Sequence, residues 1–291
     1  EMGMSARGEI ADLTALARPE VGVITNVGPV HLESLRTVDN VALAKGELWA
    51  GMADGGCVVL PGGLEHHLLR QQARRAGLAS GRLHGYTVAR EGAQDGAGYR
   101  VGVELLSEEP SGLRVGFACT TDPAVPPLRF EATIPLLGAH NADNAGLAVA
   151  VALDLDIPVR TIIEGLAQVR PAKHRGQLLH RGGRVLIDDC YNASPMAVGA
   201  ALRTLQALRG PHRGLFLLGD MLELGPSEVA LHRAVGEQAA DTGVALLCTL
   251  GARAAHAAAA AAARGIAAQG VDSPQAAAQL LCDQSQPGDW I

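Results

Sequence analysis

Two continuous apolar runs, each followed by a helical pattern, organise the first part of the chain. The run at residues 19–27 follows a proline and predicts a strand covered on both faces, and residues 57–63 predict the next strand. Apolar residues recur at helical spacing over residues 39–52, where Asp39 is expected to cap the helix, and over residues 64–77, where Gly77 is expected to end it. This order of strands and helices predicts a parallel sheet flanked by helices.

The pattern changes between about residues 82 and 135, where short alternating segments are separated by Gly, Pro and Asp. These segments predict an antiparallel meander added to the parallel sheet. Helical spacing returns over residues 138–158, with an Asn-rich cap and a stop near Pro158, and again over residues 159–169. The following stretch, RPAKHRGQ, has no periodicity, and we place a domain boundary near residue 170.

A second series of strands and helices follows this boundary. Strands are predicted at residues 184–189, 214–220 and 245–251, and helices at residues 196–210, 227–243 and 252–264. Residues 274–291 predict a last helix and the start of a strand. The fold class is therefore α/β, with a parallel-sheet domain carrying a meander at residues 1–170 and a second α/β domain at residues 171–291.

Composition and charge narrow the class of protein. The chain has 291 residues and a net charge of −6, so it has the length of about two domains and no basic surface that would indicate nucleic-acid binding. Its five cysteines are scattered without C-x-x-C spacing, which favours reduced thiols in a cytoplasmic protein over disulfides or a zinc site. No transmembrane run or signal peptide is present, although the missing initiator Met suggests a piece of a longer chain.

Four polar stretches lie where ligands of α/β sheets bind, at the ends of strands or the starts of helices. They are residues 25–31, 138–144, 187–195 and 217–225. Any one of them alone is ordinary turn chemistry, because Asn, Asp and Gly form turns and caps. Ligands of open α/β sheets bind outside the carboxyl ends of the strands, so four such stretches together favour a shared cleft.

Individual residues in these stretches have competing interpretations. His31 lies on a strand-end loop, where an imidazole can reach a metal or a phosphate, although a lone histidine is more often structural. The spacing of Lys45 alone favours a solvated lysine paired with Glu47. Adjacent side chains of a strand point to opposite faces, so one of Asp188 and Asp189 is expected to bind ligand and the other to cap or pair.

Some residues and motifs carry no prediction of chemistry. His66, His67 and His256 lie within helical patterns and are assigned no role. The chain contains no G-x-S-x-G, G-x-G-x-x-G or H-E-x-x-H motif, so the signatures of common hydrolases, dehydrogenases and zinc peptidases are absent. The phosphate-binding loop G-x-x-x-x-G-K-[ST] is absent from this sequence as well.

A family resemblance emerges when the motifs are taken in order. EMGMSARGEI, TNVGPVHLE, AKGEL, GAHNADNAG, IDDCYNASP and GDMLELG, with His232 after them, resemble the Mur ligase family of bacterial peptidoglycan synthesis. Within it, YNA-x-P and GDM-x-ELG are most similar to the ligase that adds D-alanyl-D-alanine to UDP-N-acetylmuramoyl-tripeptide. The resemblance implies an N-terminal domain for the UDP-sugar peptide, a central ATPase domain, here residues 1–170, and a Rossmann-like C-terminal domain, here residues 171–291.

The same resemblance implies a chemistry. ATP phosphorylates the peptide carboxylate, and the amine of the dipeptide attacks the acyl phosphate and expels phosphate. Divalent cations must screen the two anions that meet in this reaction, so Mg²⁺ is implied. The matching magnesium residues are Glu1, His31 and Lys45, and Lys45 matches a lysine that carbon dioxide converts to a carbamate. This match reverses the interpretation of Lys45 drawn from its spacing.

Further roles follow by resemblance. The residues implied near adenine are Asn144, Asn141 and His140. Arg175 and Asp189 match residues that hold the phosphates and the ribose, and Arg175, Lys45 and His31 form the implied catalytic set. Closure of the two domains can move an arginine at their boundary to the phosphate group, where negative charge develops during the reaction. The residues implied to face the substrates are Tyr191, Asn192, Asp220 and Glu223. A monomer is expected.

Part of the family pattern lies outside the sequence. The phosphate-binding glycine loop is expected before Glu1 and a final strand after Ile291. Two alternatives follow: the chain is an internal part of an active ligase, or it is a non-catalytic nucleotide-binding fragment. A related amide ligase, such as one that adds glutamate to folate, is a third. Without the glycine loop, the 291-residue chain alone is expected not to ligate.

Overall fold

The computed structural model describes residues 1–63, 67–90, 99–122 and 124–291, and His66 lies outside them. The chain forms two compact units. The first comprises Glu1–Ser107, Gly112–Pro135 and Ala139–Val169, and the second comprises Glu108–Ser111, Leu136–Gly138 and Arg170–Ile291.

The described helices and strands are numbered in chain order. The helices are α1 (Glu9–Ala17), α2 (Leu32–Leu35), α3 (Val38–Lys45), α4 (His67–Ala73), α5 (His140–Asp154), α6 (Val159–Gln168), α7 (Pro195–Leu208), α8 (Glu228–Asp241), α9 (Ala255–Ala263) and α10 (Pro274–Gln284). The strands are β1 (Val21–Val23), β2 (Cys57–Pro61), β3 (His84–Arg90), β4 (Tyr99–Glu109), β5 (Gly112–Thr120), β6 (Leu128–Ile134), β7 (Gln177–Arg181), β8 (Arg184–Asp188), β9 (Leu215–Gly219), β10 (Leu246–Leu250) and β11 (Ala267–Val271).

The first unit contains a six-stranded sheet in the order β1-β2-β3-β4-β5-β6. Strands β1 to β4 pair parallel, and β5 pairs antiparallel with β6. The antiparallel part therefore begins later than expected, because β3 is parallel to both of its neighbours. An alternating pattern shows which face of a strand is exposed, but it does not specify the direction of the neighbouring strand.

Three helix boundaries differ from the sequence predictions. Helix α3 is capped by Thr37, whose hydroxyl accepts the N–H of Asn40, and not by Asp39. The N-cap of α5 is Ala139, which forms no side-chain cap, so the predicted Asn-rich cap is wrong. Gly77 has an extended φ of 168° within a π-helical turn and is not the predicted left-handed C′ residue. Thr37, Asp39 and Asn40 near the start of α3 all satisfy the cap preference, so that preference alone does not fix where the helix begins.

The second unit contains a three-stranded parallel sheet in the order β11-β10-β9 and the antiparallel pair β7-β8. Trp290 forms parallel bridges with Val185 and with Gly214, so the last residues connect these two sheets. Strands β7 and β11 were not predicted. Both are largely exposed, and β11 has the sequence AAQGV, which lacks the apolar run of a buried strand.

Helices α8 and α9 of the second unit lie very close together at Gly236. A Cβ atom added to Gly236 would lie 2.1 Å from the carbonyl oxygen of Ala257. We expect Gly236→Ala to lower the free energy of unfolding by about 1–3 kcal/mol, because two backbones would have to separate. Urea unfolding followed by circular dichroism measures the change.

A matched control lies in α6. An added Cβ at Gly165 meets no atom within 4 Å, so Gly165→Ala is expected to stabilise the protein by about 0.5–1 kcal/mol through helix propensity. A Gly236→Ala variant with the stability of the parent would contradict the close helix contact.

Among the described residues, none of the helices has the length and apolar character needed to span a bilayer.

Candidate functional site

Lys45, the last residue of α3, is partly buried beside the loop that follows β1. Its Nζ donates a hydrogen bond to the carbonyl oxygen of Asn26 at 2.9 Å. Burial lowers the pKa of Lys45. A lowered pKa enlarges the neutral fraction of the amine, and only the neutral amine is a nucleophile.

Glu47 is not the partner of Lys45 that spacing alone suggested. Its carboxylate accepts the N–H of Gly8 at 2.9 and 3.1 Å and pairs with Arg7 Nε at 3.0 Å. Glu47 therefore ties the segment before α1 to the 3-10 turn that follows α3. This contact joins residues that are 39 positions apart, so the local sequence did not reveal it.

His31 stands at the start of α2 in a left-handed conformation, with a φ of 53°, and its carbonyl oxygen accepts the N–H of Leu35 at 2.9 Å. Its ring lies near enough to Glu9 for their charges to interact. Hydrogen bonds from the N–H groups of Ser5 and Ala6 lower the pKa of Glu9, and the charge of His31 lowers it further. Glu9 is thus an anion beside the imidazole.

Glu9 was not predicted to be a site residue. The sequence offered one signal for it, which is that Glu9 is an acidic residue in the first turn of a helix. Ser34 in α2 also donates a hydrogen bond to the carbonyl oxygen of Ser5, so the segment before α1 contacts the helix that follows His31. Glu1 is exposed at the beginning of this segment.

The first turns of α5 present a pair of amide side chains. Asn144 Nδ2 donates to Asn141 Oδ1 at 3.1 Å, and His140 is exposed in the same turn. Paired amides offer both donors and acceptors, which is the chemistry that reads a purine edge. The three residues implied near adenine are therefore neighbours on one short helical segment.

Arg90 at the end of β3 holds the start of α5. Its guanidinium donates to the carbonyl oxygen of Ala139 at 2.7 Å and pairs with the carboxylate of Asp143 at 2.7 Å. Burial raises the pKa of Asp143, and the charge of Arg90 opposes that shift. Sequence reasoning missed Arg90, although a cation at the carboxyl end of a strand was an available signal.

In the second unit, the loop before β7 and the loop after β8 lie together. The guanidinium of Arg175 stacks over the ring of Tyr191 at 4.0 Å, and the N–H of Tyr191 donates to the carbonyl oxygen of His174 at 3.2 Å. His174 Nδ1 lies 2.8 Å from the carboxylate of Asp188. The His174–Asp188 pair therefore connects the two loops that carry Arg175 and Tyr191.

The two aspartates that end the strand differ as expected from their opposite faces. Asp188 pairs with His174 and also accepts from Cys190 Sγ at 3.1 Å, whereas Asp189 is exposed. Burial acts to raise the pKa of Asp188, but the hydrogen bonds from Cys190 and His174 and the charge of His174 outweigh it, so this pKa is lowered. His174 was missed as the partner of Asp188.

This pKa shift predicts a pH dependence of stability. A carboxyl whose pKa is lowered by folding stabilises the protein above its unfolded pKa, and this contribution disappears as the pH falls through the folded pKa. Asp188→Asn is therefore expected to lower stability by about 1 kcal/mol at neutral pH, a figure reduced for solvent screening. The difference from the parent should shrink below roughly pH 4.

Thermal unfolding of parent and variant at several pH values measures this difference. Asp189→Asn, which removes the same charge at the adjacent position, is the matched control and is expected to show a smaller difference at neutral pH. An Asp188→Asn effect that does not change with pH would contradict the ionic role.

Hydrogen bonds at Asp220 and Met221 hold the loop after β9 in place. Asp220 Oδ1 accepts the N–H of Ala254 at 2.7 Å, and the fully buried His232 accepts the N–H of Met221 at 3.1 Å. Leu222 and Glu223 remain exposed, and Glu223 has a φ of 61°. Asp220 and His232 therefore shape the loop, whereas Leu222 and Glu223 project from it.

Asn192 lies in the loop between β8 and α7. Its Oδ1 accepts the N–H of Ala193 at 2.9 Å, which leaves its amide donors to solvent or ligand in this exposed position. Tyr191 beside it is 65% exposed. Exposed aromatic and amide groups side by side suit contacts with a peptide.

Comparison with known proteins finds two family models that match the chain. The model of the Mur ligase middle domain matches residues 1–152, and that of the Mur ligase glutamate ligase domain matches residues 174–291. The UDP-N-acetylmuramoyl-tripeptide–D-alanyl-D-alanine ligase of Bacillus subtilis (strain 168) is 30% identical over 237 residues, which are 81% of this chain and 47% of that protein. The chain thus spans about half the length of the curated relatives it matches.

Two crystal structures show the same fold. MurF from Acinetobacter baumannii matches with a TM-score of 0.80 at 24% identity, over 99% of this chain and 59% of that one. The MurF ligase from Thermotoga maritima, in complex with ADP, matches with a TM-score of 0.79 at 21% identity, over 100% of this chain and 61% of that one. These likenesses confirm the predicted fold class. The Mur ligase middle-domain model alone matches more than half of the residues of this chain. The chain therefore belongs to the Mur ligase family.

Proposed function

We propose that the protein is an ATP-dependent amide ligase that joins D-alanyl-D-alanine to UDP-N-acetylmuramoyl-tripeptide. The observation that carries this proposal is the similarity, over most of the chain, to curated relatives with that name. The ADP bound to the Thermotoga maritima MurF ligase supports ATP as the nucleotide. Because bacteria make ATP and UDP-linked peptides inside the cell, the proposed reaction takes place in the cytoplasm.

A carboxylate does not react with an amine until its oxygen becomes a leaving group. In the proposed reaction, a carboxylate oxygen of the tripeptide attacks the γ-phosphorus of ATP, the bond to ADP breaks, and an acyl phosphate forms. The dipeptide amine then attacks the carbonyl carbon and loses a proton. The carbon–oxygen bond to the phosphate breaks with its electron pair, so an amide and inorganic phosphate are the products.

The first unit supplies the proposed magnesium residues Glu1, His31 and Lys45. Two of the three offer the oxygen donors that Mg²⁺ prefers, because Glu1 is an exposed carboxylate and the lowered pKa of Lys45 favours uptake of carbon dioxide, which makes a second carboxylate-like donor; His31 adds an imidazole nitrogen. Mg²⁺ would reduce the repulsion between the carboxylate and the γ-phosphate. Uptake of carbon dioxide changes the Lys45 side chain from a cation to an anion. The hydrogen bond from Lys45 Nζ to Asn26 fixes the position of the nitrogen to which the carbamate is attached.

The nucleotide is assigned to three groups of residues. Asn141 and Asn144, with His140, contact the adenine through their paired amides, and Asp189 binds the ribose. Arg175 contacts the phosphates, and its stacking on Tyr191 restricts the guanidinium before the nucleotide binds. A guanidinium presents its donors in a planar fork that suits phosphate oxygens.

The peptide substrates are assigned to exposed loops of the second unit. Tyr191 and Asn192 follow β8, and Glu223 projects from the loop after β9. Asp220 contributes by positioning that loop through its bond to Ala254. Glu223 carries the negative charge that suits the amine of the incoming dipeptide.

Amine-acceptor specificity of the complete protein tests the proposed function. Phosphate release with ATP and UDP-N-acetylmuramoyl-tripeptide is expected to require D-alanyl-D-alanine and to be absent with L-glutamate. Glutamate-dependent release with folate would instead identify a related amide ligase. Nucleotide binding without turnover for any of these acceptors would identify a non-catalytic nucleotide-binding protein.

A further inference from the structure

A second cluster of chemically reactive side chains lies at the opposite end of the sheet in the first unit. Cys57 and His84 are the first residues of β2 and β3 and are register partners in the parallel pair. Register partners on parallel neighbours project to the same face. Asp154, the last residue of α5, completes the cluster, and one donor atom from each of the three residues lies within 4.8 Å of the others.

The three donors form a set that metal sites use. A thiolate sulfur, an imidazole nitrogen and a carboxylate oxygen are the ligand types of Zn²⁺, with water as a common fourth ligand. Cys57 is 1% exposed, and the side chains of Asp154 and His84 are 12% and 42% exposed. The sulfur is therefore shielded, while the imidazole side is open for entry of an ion and for a water ligand.

The distances require only a small rearrangement. His84 Nε2 and Asp154 Oδ1 are 2.6 Å apart, held by a hydrogen bond. Two donors on one tetrahedral zinc ion are about 3.3 Å apart, given metal–ligand distances near 2.0–2.1 Å. A cation in place of the shared proton would move His84 Nε2 and Asp154 Oδ1 apart by the difference between these two distances. Neither side chain has to change its rotamer for a shift of this size.

The electrostatic surroundings favour a cation. The carboxylate of Asp154 is 12% exposed and lies beside Cys57, which is 1% exposed, so negative charge is placed where little water screens it. A metal ion bound to Cys57 would take the place of the thiol proton, which would be released to solvent.

We propose that Cys57, His84 and Asp154 form a site for a divalent transition-metal ion, Zn²⁺ by its donor set, separate from the residues assigned to nucleotide and substrate. The absence of C-x-x-C spacing pointed away from a zinc site. Cysteine spacing gave no sign of this cluster, because its members are distant in sequence, with His84 and Asp154 70 positions apart.

Cobalt provides a spectroscopic probe for this site. The full chain, freed of metal by dialysis against a chelator, is titrated with Co²⁺, which reports thiolate coordination by a charge-transfer band in the near ultraviolet. We expect about one Co²⁺ per chain with tetrahedral visible bands, displaced by Zn²⁺. Cys57→Ser is expected to abolish the charge-transfer band, and His84→Asn to weaken binding about 10–100-fold.

The chain supplies its own matched control. His174, Asp188 and Cys190 are a cluster of the same three residue types, and Cys190 is exposed. Cys190→Ser should leave the band intact. A band that is lost in Cys190→Ser but kept in Cys57→Ser would overturn the proposal, as would a parent chain without the band. If Cys57→Ser fails to fold, unchanged Co²⁺ affinity of His84→Asn, whose altered side chain is partly exposed, would overturn it equally.

Discussion

Replacement of Lys45 by alanine in the complete protein is expected to lower kcat for amide formation by at least about a hundredfold, with little change in the Kd of the UDP-peptide. The partly buried amine would lose its role as a metal-binding carbamate, which acts on the reacting phosphate and carboxylate and not on the UDP-sugar. Steady-state kinetics and calorimetric titration separate the two quantities.

Two variants separate the carbamate from a simple positive charge. Lys45→Arg keeps the cation but cannot take up carbon dioxide and should be as impaired as Lys45→Ala. Added formate or acetate should restore part of the activity of Lys45→Ala, because a small carboxylate can occupy the vacated space. Full kcat in Lys45→Arg would contradict the assigned role.

Replacement of Arg175 by alanine is expected to reduce kcat by about a thousandfold, as for other arginines that stabilise charge on a transferred phosphoryl group. The guanidinium is stacked 4.0 Å over Tyr191, so its fork is already oriented. Arg175→Lys should recover only a small part of the loss, because an ammonium lacks the planar fork. Single-turnover measurement of phosphate formation reports the affected step.

Neighbouring variants test whether the effect belongs to Arg175. Tyr191→Phe keeps an aromatic face and should retain most of the activity, whereas Tyr191→Ala should lose about tenfold through disorder of the guanidinium. Arg181→Ala removes an exposed arginine from β7 of the same unit and is the control for net charge. Equal losses in Arg175→Ala and Arg181→Ala would show that only overall charge matters.

The fold was predictable where burial leaves a strong pattern. Strands β2, β9 and β10 are apolar runs, and the predicted helices α4, α8 and α9 follow them in that order, so the alternation predicted the parallel sheets. Strand β11 was not predictable, because AAQGV carries no apolar run, and its pairing with β10 joins residues that are distant in sequence. The direction of β3 relative to β4 also depends on tertiary pairing and not on its own pattern.

The candidate site was predictable as a set of loops but not as a set of contacts. The motifs located Lys45, Arg175 and Tyr191, yet spacing alone gave Lys45 the wrong partner, because Glu47 binds Gly8 and Arg7 instead. The pairing of His174 with Asp188 joins positions 14 residues apart. Such pairs arise when the chain returns to the same place, which periodicity along the chain does not encode.

Oxygen-isotope transfer tests the central claim most directly. The complete protein is given UDP-N-acetylmuramoyl-tripeptide labelled with oxygen-18 in its reacting carboxylate, together with ATP and D-alanyl-D-alanine, and the released phosphate is analysed by mass spectrometry. If the carboxylate is activated as an acyl phosphate, each phosphate carries a single labelled oxygen from the peptide. Unlabelled phosphate accompanying amide formation would contradict the acyl-phosphate account.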